Sequence, residues 1–174
     1  MGALVILVLL AGLMAAPASA EEVLATFKFP RKHPNLPGWT DVKELSVMKA
    51  PLLGLTVTAL RLKFYGPLSR GVTLSINVYI DKDRNPETGY GGSDTRLYIS
   101  GVTPLPTIYA YYWNSTKKRW LGVRGIQLII IMTGNDTITA TLPPEVLGSE
   151  EELKSAFVRL DVTLAVSGSF TFKP

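Results

Sequence analysis

The sequence predicts an all-β protein: an antiparallel, jelly-roll-like β-sandwich with one short helix near residues 150–156. Three observations carry this expectation. Apolar and polar residues alternate with period two along several segments, as strands with one face in a core require. Gly, Pro, Asn and Asp recur between those segments at the spacing of sandwich turns. Helical patterning is confined to one stretch of about two turns.

In chain order, residues 1–20 read as a removable signal peptide. An uncharged apolar stretch from Ala3 to about Ala15 ends in Pro17-Ala18-Ser19-Ala20, ahead of the acidic pair Glu21-Glu22. This small-x-small pattern marks cleavage after Ala20. A retained anchor is the other reading, but the apolar core is shorter than the roughly 20 residues that span a bilayer. Stable membrane insertion after cleavage is therefore not expected. The remainder is expected to be secreted or displayed at the cell surface, as a proline-rich strand and arm over 21–38 followed by one sandwich domain over 39–174.

Within the arm, Pro30, Pro34 and Pro37 flank Arg31, Lys32 and His33. A continuous helix or central strand is ruled out there, leaving one strand over 23–29 and an irregular segment. Asp41-Val42 opens the first core strand. Over 56–65, Leu60, Leu62 and Phe64 share one face while Arg61 and Lys63 share the other. Leu74, Ile76, Val78 and Ile80 repeat the alternation. Further strands are expected over 96–101, 107–113, 126–132, 136–142, 157–166 and 169–173. A tight turn is expected at Gly134-Asn135-Asp136. The helix follows Ser149-Glu150-Glu151-Glu152, where Ser149 and Glu152 can form a capping box.

Composition narrows the function classes. The net charge is +4, and the 18 Lys and Arg residues are scattered, so no basic patch suggests nucleic-acid binding. With no cysteine, an exported domain must be held by packing or by a bound metal. Twelve prolines and many β-branched aliphatics suit a heat-adapted protein. Hydrolysis needs a nucleophile beside a base or two facing carboxylates at a cleft, and the pattern offers neither, so the chain is not expected to be an enzyme. Haem is not expected either, because His33, Met48 and Met132 form no axial pairing.

The segment richest in chemistry joins the strand ending at Ile80 to a loop with oxygen donors at Asp81, Asp83, Asn85 and Glu87, and with Asp94 further on. Several oxygens on a turning backbone suit a hard cation, with Gly89, Gly91 and Gly92 permitting the path. Ca2+ fits better than Zn2+, which prefers His or Cys. An Asx-rich turn, with these side chains bonded to neighbouring amides, accounts for the same residues. Pro86 stands where an EF-hand places its turn glycine, so the loop is not of that type.

The run VYIDKDRNPETGYGGSDTRLYISG resembles the signature of secreted domains related to family 9 carbohydrate-binding modules and DOMON domains. Asp41-Val42, Tyr112-Trp113, Trp120 and the Leu142-Pro143-Pro144-Glu145-Val146-Leu147 connection fit that group's order, over roughly residues 40–166. The chain has Asp94-Thr95, with Tyr98 later, where the group has an Asp-Tyr pair. The resemblance implies an extracytoplasmic jelly roll in a group that includes sugar and haem binders, and it carries no catalytic residues.

Tyr109, Tyr111 and Trp113 alternate with Ile108, Ala110 and Tyr112. With Trp120 they suit either a sugar-stacking platform or packing between sheets. Asn114 and Asn135 lie in Asn-x-Ser/Thr triplets at turns, where glycosylation is expected. The leading expectation is a non-catalytic, calcium-stabilised binding domain for a glycan or other cell-surface component. The alternative is a subunit of an extracellular filament or surface layer. In it, residues 21–37 pair with the sheet edge of a neighbouring copy.

Overall fold

The computed structural model describes residues 21–52, 55–69, 71–103, 106–123, 130–131 and 135–166. The signal-peptide segment, the strand expected over 169–173, most of that expected over 126–132, and Gly134 of the expected turn lie outside the described residues. Among the described residues no helix is long and apolar enough to cross a membrane.

The chain folds as an antiparallel β-sandwich. Its elements are β1 (Glu22–Lys28), β2 (Val42–Leu52), β3 (Leu55–Phe64), β4 (Val72–Asp81), β5 (Thr95–Val102), β6 (Thr107–Asn114), β7 (Arg119–Gly122), β8 (Ile130–Ile131), β9 (Thr137–Leu142), α1 (Pro144–Leu147), α2 (Glu150–Ser155) and β10 (Phe157–Val166). One sheet has the order β1-β2-β3-β9-β8, and the other β10-β4-β5-β6-β7. Hairpins stay within a sheet. The chain crosses between sheets after β3, after β7 and, through α1 and α2, after β9.

Alternation of side chains decides which face is buried. Leu60, Leu62 and Phe64 of β3, Leu74, Ile76, Val78 and Ile80 of β4, and Leu97 and Ile99 of β5 are almost fully buried. They meet Leu45, Val47, Ile138 and Ala140 in one core. Pro51 sits in β2 opposite Thr56 of β3, beyond Lys49, where β1 stops pairing with β2. The missing N–H therefore falls on a locally open edge, where proline does no harm.

The capping box at Ser149 forms as expected. The Glu152 N–H donates to Ser149 Oγ at 3.2 Å, and the Ser149 N–H donates to Glu152 Oε2 at 2.6 Å. α1, a single turn, and β7 are additions to the sequence reading. Leu147 and Leu153 are buried and seat the α1–α2 connection on the core. β1 lies antiparallel to β2 of its own chain, with Phe27 opposite Leu45.

Candidate functional site

β4 runs out of the core at Ile80, so Asp81 is the first residue of its loop end. The chain returns at Asp94, whose N–H donates to the Ile80 carbonyl at 2.9 Å. The Asp94 carbonyl in turn accepts from the Trp113 N–H at 2.9 Å, which ties the loop to β6. Between these anchors the path is tight. Tyr90 and Ser93 exchange backbone hydrogen bonds of 2.9 and 3.3 Å. Gly89 has φ +67°, and a Cβ there would lie 2.2 Å from the Ser93 carbonyl oxygen. Only glycine fits both constraints.

This closure brings together carboxylate oxygens of Asp81, Asp83 and Asp94, all within 4.8 Å of one another. Oxygens that ligate Ca2+ at about 2.3–2.6 Å necessarily lie within about 5 Å of each other, so the spacing suits such an ion. Asp81 Oδ1 is buried with no hydrogen-bond partner. An orphaned carboxylate oxygen is costly unless something positive faces it. Asp94 accepts the Lys82 N–H at 3.1 Å. Burial pushes its carboxyl above the usual range, and the charges of Asp83 and Asp81 add to the effect. The Asn85 N–H and the Thr88 hydroxyl hold Asp83 below that range. Burial lowers Lys82 against the opposing pull of Glu152 and Asp94.

The other two expected donors are used differently. Asn85 Oδ1 accepts the Glu87 N–H at 3.0 Å, closing an Asx turn. Glu87 is exposed and outside the acidic group. The loop is thus an Asx-turned loop at Asp83–Thr88 and a convergent acidic cluster at Asp81, Asp83 and Asp94. Arg84, at φ +54°, donates from Nε to the Ser155 carbonyl and links the loop to the end of α2.

The outward face of the β10-β4-β5-β6-β7 sheet carries the aromatic side chains. Register places Trp113 opposite Trp120, in the neighbourhood of Asp94. The adjoining cross-strand row is Arg159, Tyr79, Arg96, Tyr111 and Gly122, and the next is Asp161, Asn77, Tyr98 and Tyr109. Trp113 and Trp120 meet edge-on at 5.4 Å, and Tyr90 of the loop stacks obliquely on Trp113 at 5.3 Å. Arg96 fixes the middle of the face. Its Nε and Nη2 both donate to Asn77 Oδ1, at 2.9 and 2.7 Å. Its guanidinium lies 5.4–5.9 Å from the ring centres of Tyr79, Tyr98 and Tyr111, within cation–π range.

Ile108 and Ala110 point into the core while Tyr109 stays half exposed, but Tyr112, which shares their side of the strand, is 47% exposed, so the alternation of burial stops before the end of β6. Tyr111, Trp113 and Trp120 are half-buried against their neighbours. A cleft of about 380 Å3 opens beside Asp94 at the core-side end of β5 and β6, away from the aromatic face, lined among others by Lys82, Thr95, Tyr112, Val123 and Val146. Tyr79, Tyr90 and Arg96 were not expected here. Tyr79 and Arg96 carry the period-two signal of their strands, but nothing in a linear reading marks their shared face.

Asn114 Oδ1 accepts the Lys117 N–H at 2.7 Å in the β6–β7 turn. Asn135 is exposed just before β9. The lone histidine lies in the arm against Asp41, remote in sequence from the acidic loop. No protein-family model, no curated protein and no solved structure matches this chain.

Proposed function

We propose that the protein is a non-catalytic, extracytoplasmic binding domain whose acidic loop holds Ca2+ and whose aromatic face engages a glycan. The observation that carries the metal half is the buried, unpartnered Asp81 Oδ1 within reach of the Asp83 and Asp94 carboxylates. Three oxygen donors without a His or Cys favour a hard cation over zinc. Bound there, the ion fixes the loop against β6 and presents Trp113 and Tyr90 in one geometry. The aromatic face offers apolar area and π-surface to sugar C–H groups.

Thermal melting in chelator and in millimolar CaCl2 tests the metal, because a ligand bound only by the folded state raises the melting temperature by mass action. The expected result is an upward shift in the native protein that Asp94→Asn abolishes. An identical melting temperature in both buffers overturns the metal reading. For the glycan, native gels cast with soluble polysaccharides should retard the protein, and Trp120→Ala should relieve the retardation. Uniform mobility across neutral and acidic polysaccharides overturns that half alone.

A further inference from the structure

Among the described residues the sandwich leaves one long strand edge open. β10 pairs with β4 in unbroken register from Phe157 opposite Asp81 to Val166 opposite Val72. Among the described residues no strand lies on its other side. Two of the other outer strands, β1 and β7, are blunted in ways that usually discourage pairing. β1 carries a register shift between Val23 and Ala25, and its N-terminal end is bound into ion pairs by Lys49–Glu22 and Arg61–Glu21. β7 spans four residues. β10 has ten residues, no proline and no glycine, and Phe157 at its start is 63% exposed. A cleft of about 440 Å3 runs along residues 157–162, with the arm residues Pro30, Lys32 and His33 on its far side. The arm thus flanks this edge without pairing to it.

We propose that β10 pairs edge to edge with β10 of a second copy of this chain, antiparallel about a two-fold axis through Leu160. Self-pairing of one strand is isologous, and matching faces require the axis to pass through a residue, because side chains alternate. Charge separates the registers near the middle of Phe157–Val166: an axis through Val162 sets Asp161 opposite Thr163 and Arg159 opposite Ala165, with no ion pair across the edge. An axis through Arg159 sets that residue against itself, and one through Asp161 does the same for the aspartate. Like charges directly opposite destabilise a strand pair.

The axis through Leu160 sets Arg159 opposite Asp161 of the second copy, twice over by symmetry, and sets Val158 opposite Val162 on the core side. Within one chain Arg159 and Asp161 are only 4.0 Å apart and both about half exposed, while the Arg159 guanidinium lies 4.5 Å from the Tyr79 ring centre, a contact that its Nη atoms can keep while they reach an aspartate across the new edge. The result is one continuous sheet of ten strands. The axis stands perpendicular to that sheet, so the two aromatic faces point the same way. Two-site engagement of a polymeric glycan follows from this geometry, and that consequence alone rests on the function proposed above.

Light scattering coupled to size-exclusion chromatography of the purified protein tests the pairing. At roughly 100 μM, where a micromolar interface is almost fully formed, the native chain should elute as a dimer. Arg159→Asp and Asp161→Arg should each weaken dimerisation by at least about tenfold. The double exchange R159D/D161R should restore it, and circular dichroism confirms that each variant is folded. A native monomer at that concentration, or a dimer indifferent to both single reversals, overturns the proposal. So does an assembly that survives the reversals and disappears when residues 21–37 are removed. Glycan retardation in the gels above is read separately, so loss of that activity leaves the pairing test intact.

Discussion

The imidazole Nδ1 of His33 lies 2.9 Å from Asp41 Oδ1, while the His33 backbone N–H donates to Asp41 Oδ2 at 2.8 Å. One buried carboxylate, its side chain 7% exposed, therefore holds the proline-rich arm at two points. Its own backbone joins in, because the Asp41 carbonyl accepts the Tyr65 N–H at 3.1 Å. Asp41→Ala should cost about 1–3 kcal/mol, the range for hydrogen bonds lost at a buried group. Chemical denaturation reads that loss. Trypsin should also cut at Arg31 and Lys32 faster than in the native protein, and unchanged cleavage there would show that the arm is held elsewhere.

Asp81→Asn should have opposite signs with and without metal. In chelator, Asp81 adds a third negative charge beside Asp83 and Asp94 and carries a buried oxygen without a partner. Replacing it by a neutral amide relieves repulsion and supplies N–H donors toward those carboxylates. The variant should therefore melt at or above the native temperature in chelator. In CaCl2 it should fall below the native protein, having lost a charged ligand. Paired melts in the two buffers measure both, and a variant destabilised equally in each would point to a purely structural aspartate.

Two loop glycines separate backbone strain from steric exclusion. Gly89 and Gly91 both have positive φ, +67° and +57°, but a Cβ at Gly91 meets nothing within 4 Å. Gly91→Ala should cost about 1–2 kcal/mol, the left-handed penalty alone. Gly89→Ala adds a collision with the Ser93 backbone, which cannot rotate away as a side chain would. Its cost should exceed that of Gly91→Ala by a further 1 kcal/mol or so, in line with substitutions where the native conformation is incompatible. Equal midpoints in urea would contradict the loop path.

What could be read from the sequence followed from where one residue's surroundings are local. A strand with one face in the core must alternate, so β3, β4, β6 and β10 announced themselves, as did the capping box, whose partners are three residues apart. β7 spans four residues, and α1 spans one turn, both too short to express a period. The acidic loop was legible as alternating oxygen donors. Which of them turn inward was not, because the Asx turn that occupies Asn85 competes with coordination, and only the folded path decides between them. Tyr79, Tyr90, Arg96 and Trp120 come from four separate elements or loops, and their meeting depends on cross-strand register.

The capping box carries a pH dependence that can be isolated. The Ser149 backbone and hydroxyl hold the Glu152 carboxyl below the usual glutamate range, so the charged form is favoured in the folded state. A depressed value stabilises the fold above the ordinary glutamate pKa, and that stability disappears as the pH falls through the depressed value. Native stability minus that of Glu152→Gln should therefore be constant near neutrality and shrink on acidification below the ordinary range. Taking the difference removes the other carboxylates, including Asp83 and Glu150, which are also depressed. Ser149→Ala should cost about 1 kcal/mol at neutral pH, as N-cap losses do. It should also flatten the same difference, because without the serine hydroxyl the N-cap grips the glutamate less firmly. Urea midpoints for the four proteins, native, both single variants and the double variant, measured from neutral to acidic pH, check the sign. A difference that grows on acidification would mean that the glutamate is stabilised in its protonated form and that the cap contributes nothing to it.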